Sequence, residues 1–148
     1  MKISAKVRYG IAAMISLARN YTAAECTTLM SLSEKHNISK IYLEQIFSSL
    51  KRAGLVISTK GSQGGYKLSK TPEKITARDI FLALETSFAE KASDTVSQSD
   101  SSIESAINKL IFDRLDETID KFLSSVTLDD LLAEADKYLT TEGYMYYL

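Results

Sequence analysis

The chain has 148 residues, 45% of them hydrophobic and 25% charged, with a formal net charge of −1. That is the size of one domain, or of a small domain with a dimerisation appendage, and the composition is that of a globular chain rather than a disordered one. No apolar run reaches the roughly 18 residues of a membrane span, and Cys26, the one cysteine, leaves no intrachain disulfide, so a cytoplasmic location is expected.

The opening MKISAKVRYG keeps Lys2, Lys6 and Arg8 within a helical pattern and has no small-residue cleavage site, so no secretory leader is expected. Val7, Ile11, Met14, Ile15 and Ala18 recur at spacings of three and four and predict an amphipathic first helix with Ser4 as its N-cap. Residues 20–26 are polar and small, a loop. Thr28 caps a short second helix carrying Leu29, Leu32 and His36, and Asn37 suits the left-handed residue that ends it. Ser39 then caps a third helix with core stripe Leu43, Ile46, Phe47 and Leu50, stopped by Gly54. Two helices joined across residues 36–39 make a tight helix-turn-helix.

After Gly54 the pattern turns extended. Leu55-Val56-Ile57 and Tyr66-Lys67-Leu68 predict two short strands around a glycine-rich turn, ended by Thr71-Pro72. Thr76 with Asp79 forms a capping box for a fourth helix over 77–85, with Ile80, Phe81 and Leu84 inward. Residues 86–102 have no period and read as a flexible loop. Ser101 with Glu104 is a second capping box. It opens a long helix with Ile103, Ile107, Ile111, Leu115, Ile119, Phe122 and Val126 on its stripe, widened by Leu110, Phe112 and Leu123. So wide an apolar arc must bury two sides, one on its own domain and one on a second copy. Thr127 with Asp130 caps a last helix bearing Leu128, Leu131, Leu132 and Ala135, and the chain ends in GYMYYL.

The near-neutral total hides segregation. Residues 1–85 hold 13 Lys and Arg against 6 Asp and Glu, a balance of +7; residues 86–148 hold 5 against 13, a balance of −8. A basic half suits a polyanionic partner. The stretch KGSQGGYKL over 60–68 can be weighed in that light. A phosphate-cradling P-loop needs G-x-x-x-x-G-K-[ST] running into a helix, and a dinucleotide fingerprint also needs a helix. Here a strand pattern follows Gly65 and no Lys-Ser/Thr pair does. A plain hairpin turn is the bland alternative. A hairpin directly after a helix-turn-helix is the order of a winged helix, whose glycines let the backbone approach phosphates and whose Lys60 suits a narrow minor groove.

Three motifs carry a resemblance. They are MKIS with Lys6, Arg8, Tyr9 and Gly10; Tyr42-Leu43-Glu44-Gln45; and Gly61 with Gly64-Gly65-Tyr66. In this order they resemble the BadM/Rrf-type (IscR/NsrR/CymR) winged-helix transcriptional regulators. The likeness is in register over the first 85 residues and looser beyond. Cluster-binding members carry three cysteines in the loop after the fourth helix. That loop has none here, so no iron–sulfur cluster or other cofactor is expected. Residues 127–131 and the tyrosine tail look like the CymR branch. That likeness implies repression of sulfur and cysteine metabolism genes and regulation by a partner enzyme, cysteine synthase.

The expected fold is mainly α with a small β-hairpin wing. A winged helix-turn-helix DNA-binding domain spans 1–85, a flexible loop 86–102 and a helical dimerisation region 103–148. The expected function is that of a homodimeric regulator, a repressor, on a palindromic site in double-stranded DNA. The third helix would enter the major groove with Ser39, Lys40, Tyr42 and Gln45. Gln45 suits adenine, Lys40 guanine or a phosphate, and Glu44 either a cytosine or a surface lysine. Ser4, Lys6, Arg8 and Tyr9 would hold phosphates. The wing would contribute Lys60, Gly61, Gly64, Gly65 and Tyr66.

Other residues read more simply. His36 is taken as a capping or surface residue. The tail tyrosines are taken as packing groups, with a docking peptide as the alternative. An enzyme is not expected from one histidine, one cysteine and no ligand cluster. Two alternatives stay open: a winged-helix protein-interaction module, and a redox-responsive regulator sensing through Cys26. The acidic neighbour Glu25 does not activate a thiol.

Overall fold

The computed structural model describes residues 2–90 and 101–146. Three helices come first: α1 (Ala5–Arg19), α2 (Leu29–His36) and α3 (Lys40–Arg52). Each opens on the expected cap. The backbone N–H of Val7 donates to Ser4 Oγ, that of Ser31 to Thr28 Oγ1 and that of Tyr42 to Ser39 Oγ. Each cap satisfies an orphan amide at the helix start. Asn37 ends α2 at φ 53°, the left-handed conformation an asparagine tolerates. The turn to α3 is then short, and Ser33 Oγ closes it by donating to the Ile38 carbonyl at 2.6 Å.

Strands β1 (Val56–Thr59) and β2 (Gly65–Leu68) pair antiparallel, Val56 opposite Leu68 and Thr59 opposite Gly65. A short 3-10 turn (Pro72–Lys74) leads to α4 (Ala77–Leu84). Here the Thr76 and Asp79 capping box is complete, each side chain accepting from the other's backbone amide. A second 3-10 turn, Thr86–Ala89, lies inside the segment expected as a loop. Helix α5 (Ser101–Ile107), a π-helical turn (Asn108–Phe112) and α6 (Asp113–Ser125) then follow without a break, and α7 (Leu128–Tyr146) closes the chain.

One core unites these elements. Phe47, Leu43, Ile46 and Leu50 of α3 are buried with Val7, Met14 and Leu17 of α1, Leu32 of α2, Val56 and Leu68 of the hairpin, Ile80 and Leu84 of α4, and Leu128 of α7. Full burial of each large side chain contributes about 1.5–3 kcal/mol.

The structure corrects the sequence expectations in four places. The buried line of α1 runs through Val7, Gly10, Ala13, Met14 and Leu17, while Ile11 and Ile15 stay half-buried. Gly10 is in that line because a Cβ there would meet Leu84 Cδ1 of α4. Ser101 is itself helical rather than a cap. The long helix departs from α geometry at 108–112, where i→i+5 bonding makes a single π turn and rephases the stripe. Finally, Thr27 bridges to Tyr66 and Thr76 to Thr127, two short backbone pairings with no alternating pattern to reveal them. The tail residues 147–148 lie outside the described residues, as does 91–100 of the loop.

Candidate nucleic-acid interface

The face is built on α3. With Leu43, Ile46, Phe47 and Leu50 turned inward, the helix period leaves Lys40, Ile41, Glu44, Gln45, Ser48 and Arg52 exposed. The start of α1 lies alongside, where Lys6 Nζ donates to Ser49 Oγ at 3.4 Å. Lys6 and the α3 face together line a shallow groove that includes Ile41, Gln45, Ser48, Ser49 and Arg52. The wing is tied to the far end of α3 by Lys51 Nζ donating to Ser58 Oγ at 2.7 Å. Val56 and Leu68 of the hairpin are buried in the same core as the inward face of α3, so helix and hairpin pack together.

The expected residues fall into two groups. Arg8, Ser39, Lys40, Glu44, Gln45, Lys60 and Gly61 are exposed and open to a partner, and Tyr9 is 39% exposed. The others have work inside the fold. Ser4 caps α1, and its hydroxyl also bonds Glu85. That bond, with a second from Ser87, holds the Glu85 carboxyl below its ordinary range. Tyr42 is half-buried and meets Tyr9 edge-on at 5.8 Å between ring centres. The Tyr66 ring packs at a tilt on Phe47, 4.6 Å between ring centres, while its backbone pairs with Thr27 in both directions at 2.8 Å.

The wing glycines separate in the same way. Gly61 has φ +105° and nothing near a hypothetical Cβ, so only its backbone conformation asks for glycine. Gly64 and Gly65 are needed for packing. A Cβ at Gly64 would lie 2.3 Å from the Thr59 carbonyl oxygen, and one at Gly65, where φ is +142°, would lie 2.6 Å from that of Thr27. These two glycines let the hairpin close on itself and on the strand-like residues before α2.

Ile41, Ser48, Ser49, Lys51 and Arg52 were missed from sequence. Spacing of three and four from Gln45 would have found Ile41, Ser48, Ser49 and Arg52, because those intervals share one helix face. His36, read as a capping or surface residue, is half-buried with Nε2 2.9 Å from the hydroxyl of buried Ser16 in α1. Its pKa is lowered, first by burial and then by the charges of Lys35 and Arg19.

A larger cleft lies between α4, the start of α1 and α6, with Ile3, Phe81, Phe88 and Ile119 among its lining and Glu85, Glu90, Asp113, Asp116, Glu117 and Asp120 around them. Six carboxylates against Lys2, Arg78 and Lys121 leave this cleft acidic on balance, less suited to a polyanion than the α3 face and the wing.

The sequence profile of a family described as "Rrf2: Iron-dependent Transcriptional regulator" matches residues 3–134. The HTH-type transcriptional regulator CymR of Bacillus subtilis (strain 168) is 38% identical over 150 residues, covering 100% of both chains. The solved structure of CymR (YrzC), the global cysteine regulator of B. subtilis, superposes with a TM-score of 0.74 over 90% of this chain and 98% of that one. T. potens IscR superposes at 0.73, with 34% identity, over 99% and 97%.

The iron in the family description finds no fitting donor set here. Thiolates hold iron–sulfur clusters. Cys26 is the one cysteine of the sequence, placed beside Gly65 at the base of the wing, and no group of three ligating side chains gathers among the described residues. Nor, among the described residues, is any helix long and apolar enough to cross a membrane.

Proposed function

This chain belongs to the Rrf2 family of transcriptional regulators, and we propose that it works by binding double-stranded DNA as a homodimer on a palindromic operator. The observation that carries this reading is the joining of the α3 face to the wing. Lys40, Gln45 and Arg52 on the helix and Lys60 at the hairpin tip sit on elements that share one core, within a half of the chain that carries a balance of +7. The first turn of α3 enters the major groove, where Gln45 meets an adenine edge and Lys40 a guanine or a phosphate. Lys60 reaches the minor groove, and Lys6, Arg8 and Tyr9 hold the backbone between them. Ser4, Tyr42, Gly64, Gly65 and Tyr66 serve the same surface by shaping it.

Residues 1–85 form the DNA-binding unit and 103–148 the dimerising one. The likeness to a global cysteine regulator supports cysteine metabolism genes as targets; repression as the mode, the cytoplasm as the place and a partner enzyme such as cysteine synthase as the regulator follow only from the family resemblance of the sequence. Affinity for a specific duplex, measured across salt concentrations, tests the reading. A protein neutralising several phosphates loses affinity steeply and linearly on a log–log plot. Lys60→Ala is expected to weaken binding and flatten that slope by about one per subunit. A flat salt response and no preference for any duplex would instead fit a protein-interaction module.

A further inference from the structure

On the outward face of α3, Ile41 is 71% exposed, the most exposed large hydrophobic side chain of the described residues. It stands between Lys40 and Tyr42 at the start of the helix, four residues before Gln45, and lines the same shallow groove as Gln45 and Lys6. Nothing in the fold requires an isoleucine there. The core stripe is complete without it, and its branched side chain gives a weaker helix former than the alanine or leucine that exposed positions favour. The major groove of DNA is polar along its base edges except for one group, the 5-methyl of thymine.

We propose that Ile41 reads the sequence by burying a thymine 5-methyl group, next to an adenine edge read by Gln45. Four residues along one helix face is about 6 Å of rise, close to two base-pair steps of about 3.4 Å each, so the two side chains reach base pairs one or two steps apart. The two contacts are complementary in kind. An amide reads a donor and acceptor pair, while a branched aliphatic group reads the one apolar feature, so together they select A·T-rich steps that neither could select alone. This rests on the DNA-binding reading above and adds to it a rule for the operator.

The test uses the full-length protein and a duplex selected from a randomised library, resynthesised with uracil in place of each thymine in turn. Uracil removes the methyl and keeps every hydrogen-bonding group. The expected result is one thymine per half-site whose replacement weakens binding about fourfold, the worth of one buried methyl. Ile41→Ala should bind the unmodified duplex more weakly and show no discrimination at that position. Ile41→Val, which keeps two methyl groups, should restore it. Both variants are exposed-site changes and should leave thermal stability unaltered.

Uniform tolerance of uracil by the native protein would overturn the proposal while leaving the regulator reading intact, as would unchanged discrimination in Ile41→Ala. Failure to enrich any duplex would overturn both.

Discussion

At the residue scale, His36 shows how one titratable group couples two helices. Its ring joins α2 to the buried hydroxyl of Ser16 in α1, and burial lowers its pKa, with Lys35 and Arg19 adding to the effect. Because its folded-state pKa lies below the ordinary value of 6.5, the unfolded chain takes up the proton first as the pH falls. The stability it contributes is present above the unfolded pKa and is lost as the pH falls through the folded one. Denaturant midpoints should therefore drop as the pH falls through and below the ordinary value of 6.5, and His36→Gln should flatten that part of the profile. An identical pH dependence in the variant would assign the effect to other groups. Neither partner was readable as a pair from the sequence, since they lie 20 residues apart and neither interrupts its helix pattern.

At the scale of elements, the wing is fixed from three sides. Lys51 ties β1 to α3, Tyr66 packs at a tilt on Phe47, and the backbone at Thr27 adds a second pairing partner to β2. Gly65 permits this approach, and a side chain there meets both an unfavourable φ and the Thr27 carbonyl. Gly65→Ala is expected to cost at least about 1–3 kcal/mol, seen as a lower melting temperature. It should also weaken DNA binding, because the wing is displaced from α3. A variant as stable as the native chain would show that the Thr27 pairing is dispensable. The helices and hairpin themselves were legible: caps at Ser4, Thr28, Ser39, Thr76 and Thr127 announce their starts, and all of them hold. The π turn at 108–112 was not, because its one extra residue per turn leaves no compositional mark.

At the scale of the whole molecule, the long helix presents an apolar face that its own domain does not cover. Leu123 is its one buried side chain, while Ile103, Leu110, Ile111, Leu115 and Phe122 are each about half-exposed or more. A contiguous apolar face of this kind marks an interaction surface, and under the proposed function self-association through it would place two α3 faces on one DNA duplex. Leu115→Asp should leave the single chain's stability within about 0.5 kcal/mol and yet split the dimer, because the charge would be buried without a partner. Sedimentation should then show monomer, and affinity for a two-half-site duplex should fall towards that for one half-site. A variant that sediments as the native dimer would remove this face from the interface. Within one chain the two charge-segregated halves are joined by Arg19 to Asp136 at 3.1 Å and by Arg78 to Asp120. Both pairs are surface contacts that set the orientation of α7 and α6 more than they add stability.

What the sequence determined alone was the order of elements, the inward stripe of α3, the winged helix-turn-helix and the charge segregation. Each of these is written in local spacing, caps and composition. What only the tertiary structure decided was the division of labour among the marked residues. Gly65, Tyr42 and Tyr66 face neighbours far along the chain and Gly64 packs within its own hairpin, while Ile41 and Arg52, unremarkable in the string, stand in the open. The reason is physical: a helix or strand period follows from neighbours within a few residues. Whether a side chain ends up facing core or solvent depends on which other element arrives to cover it.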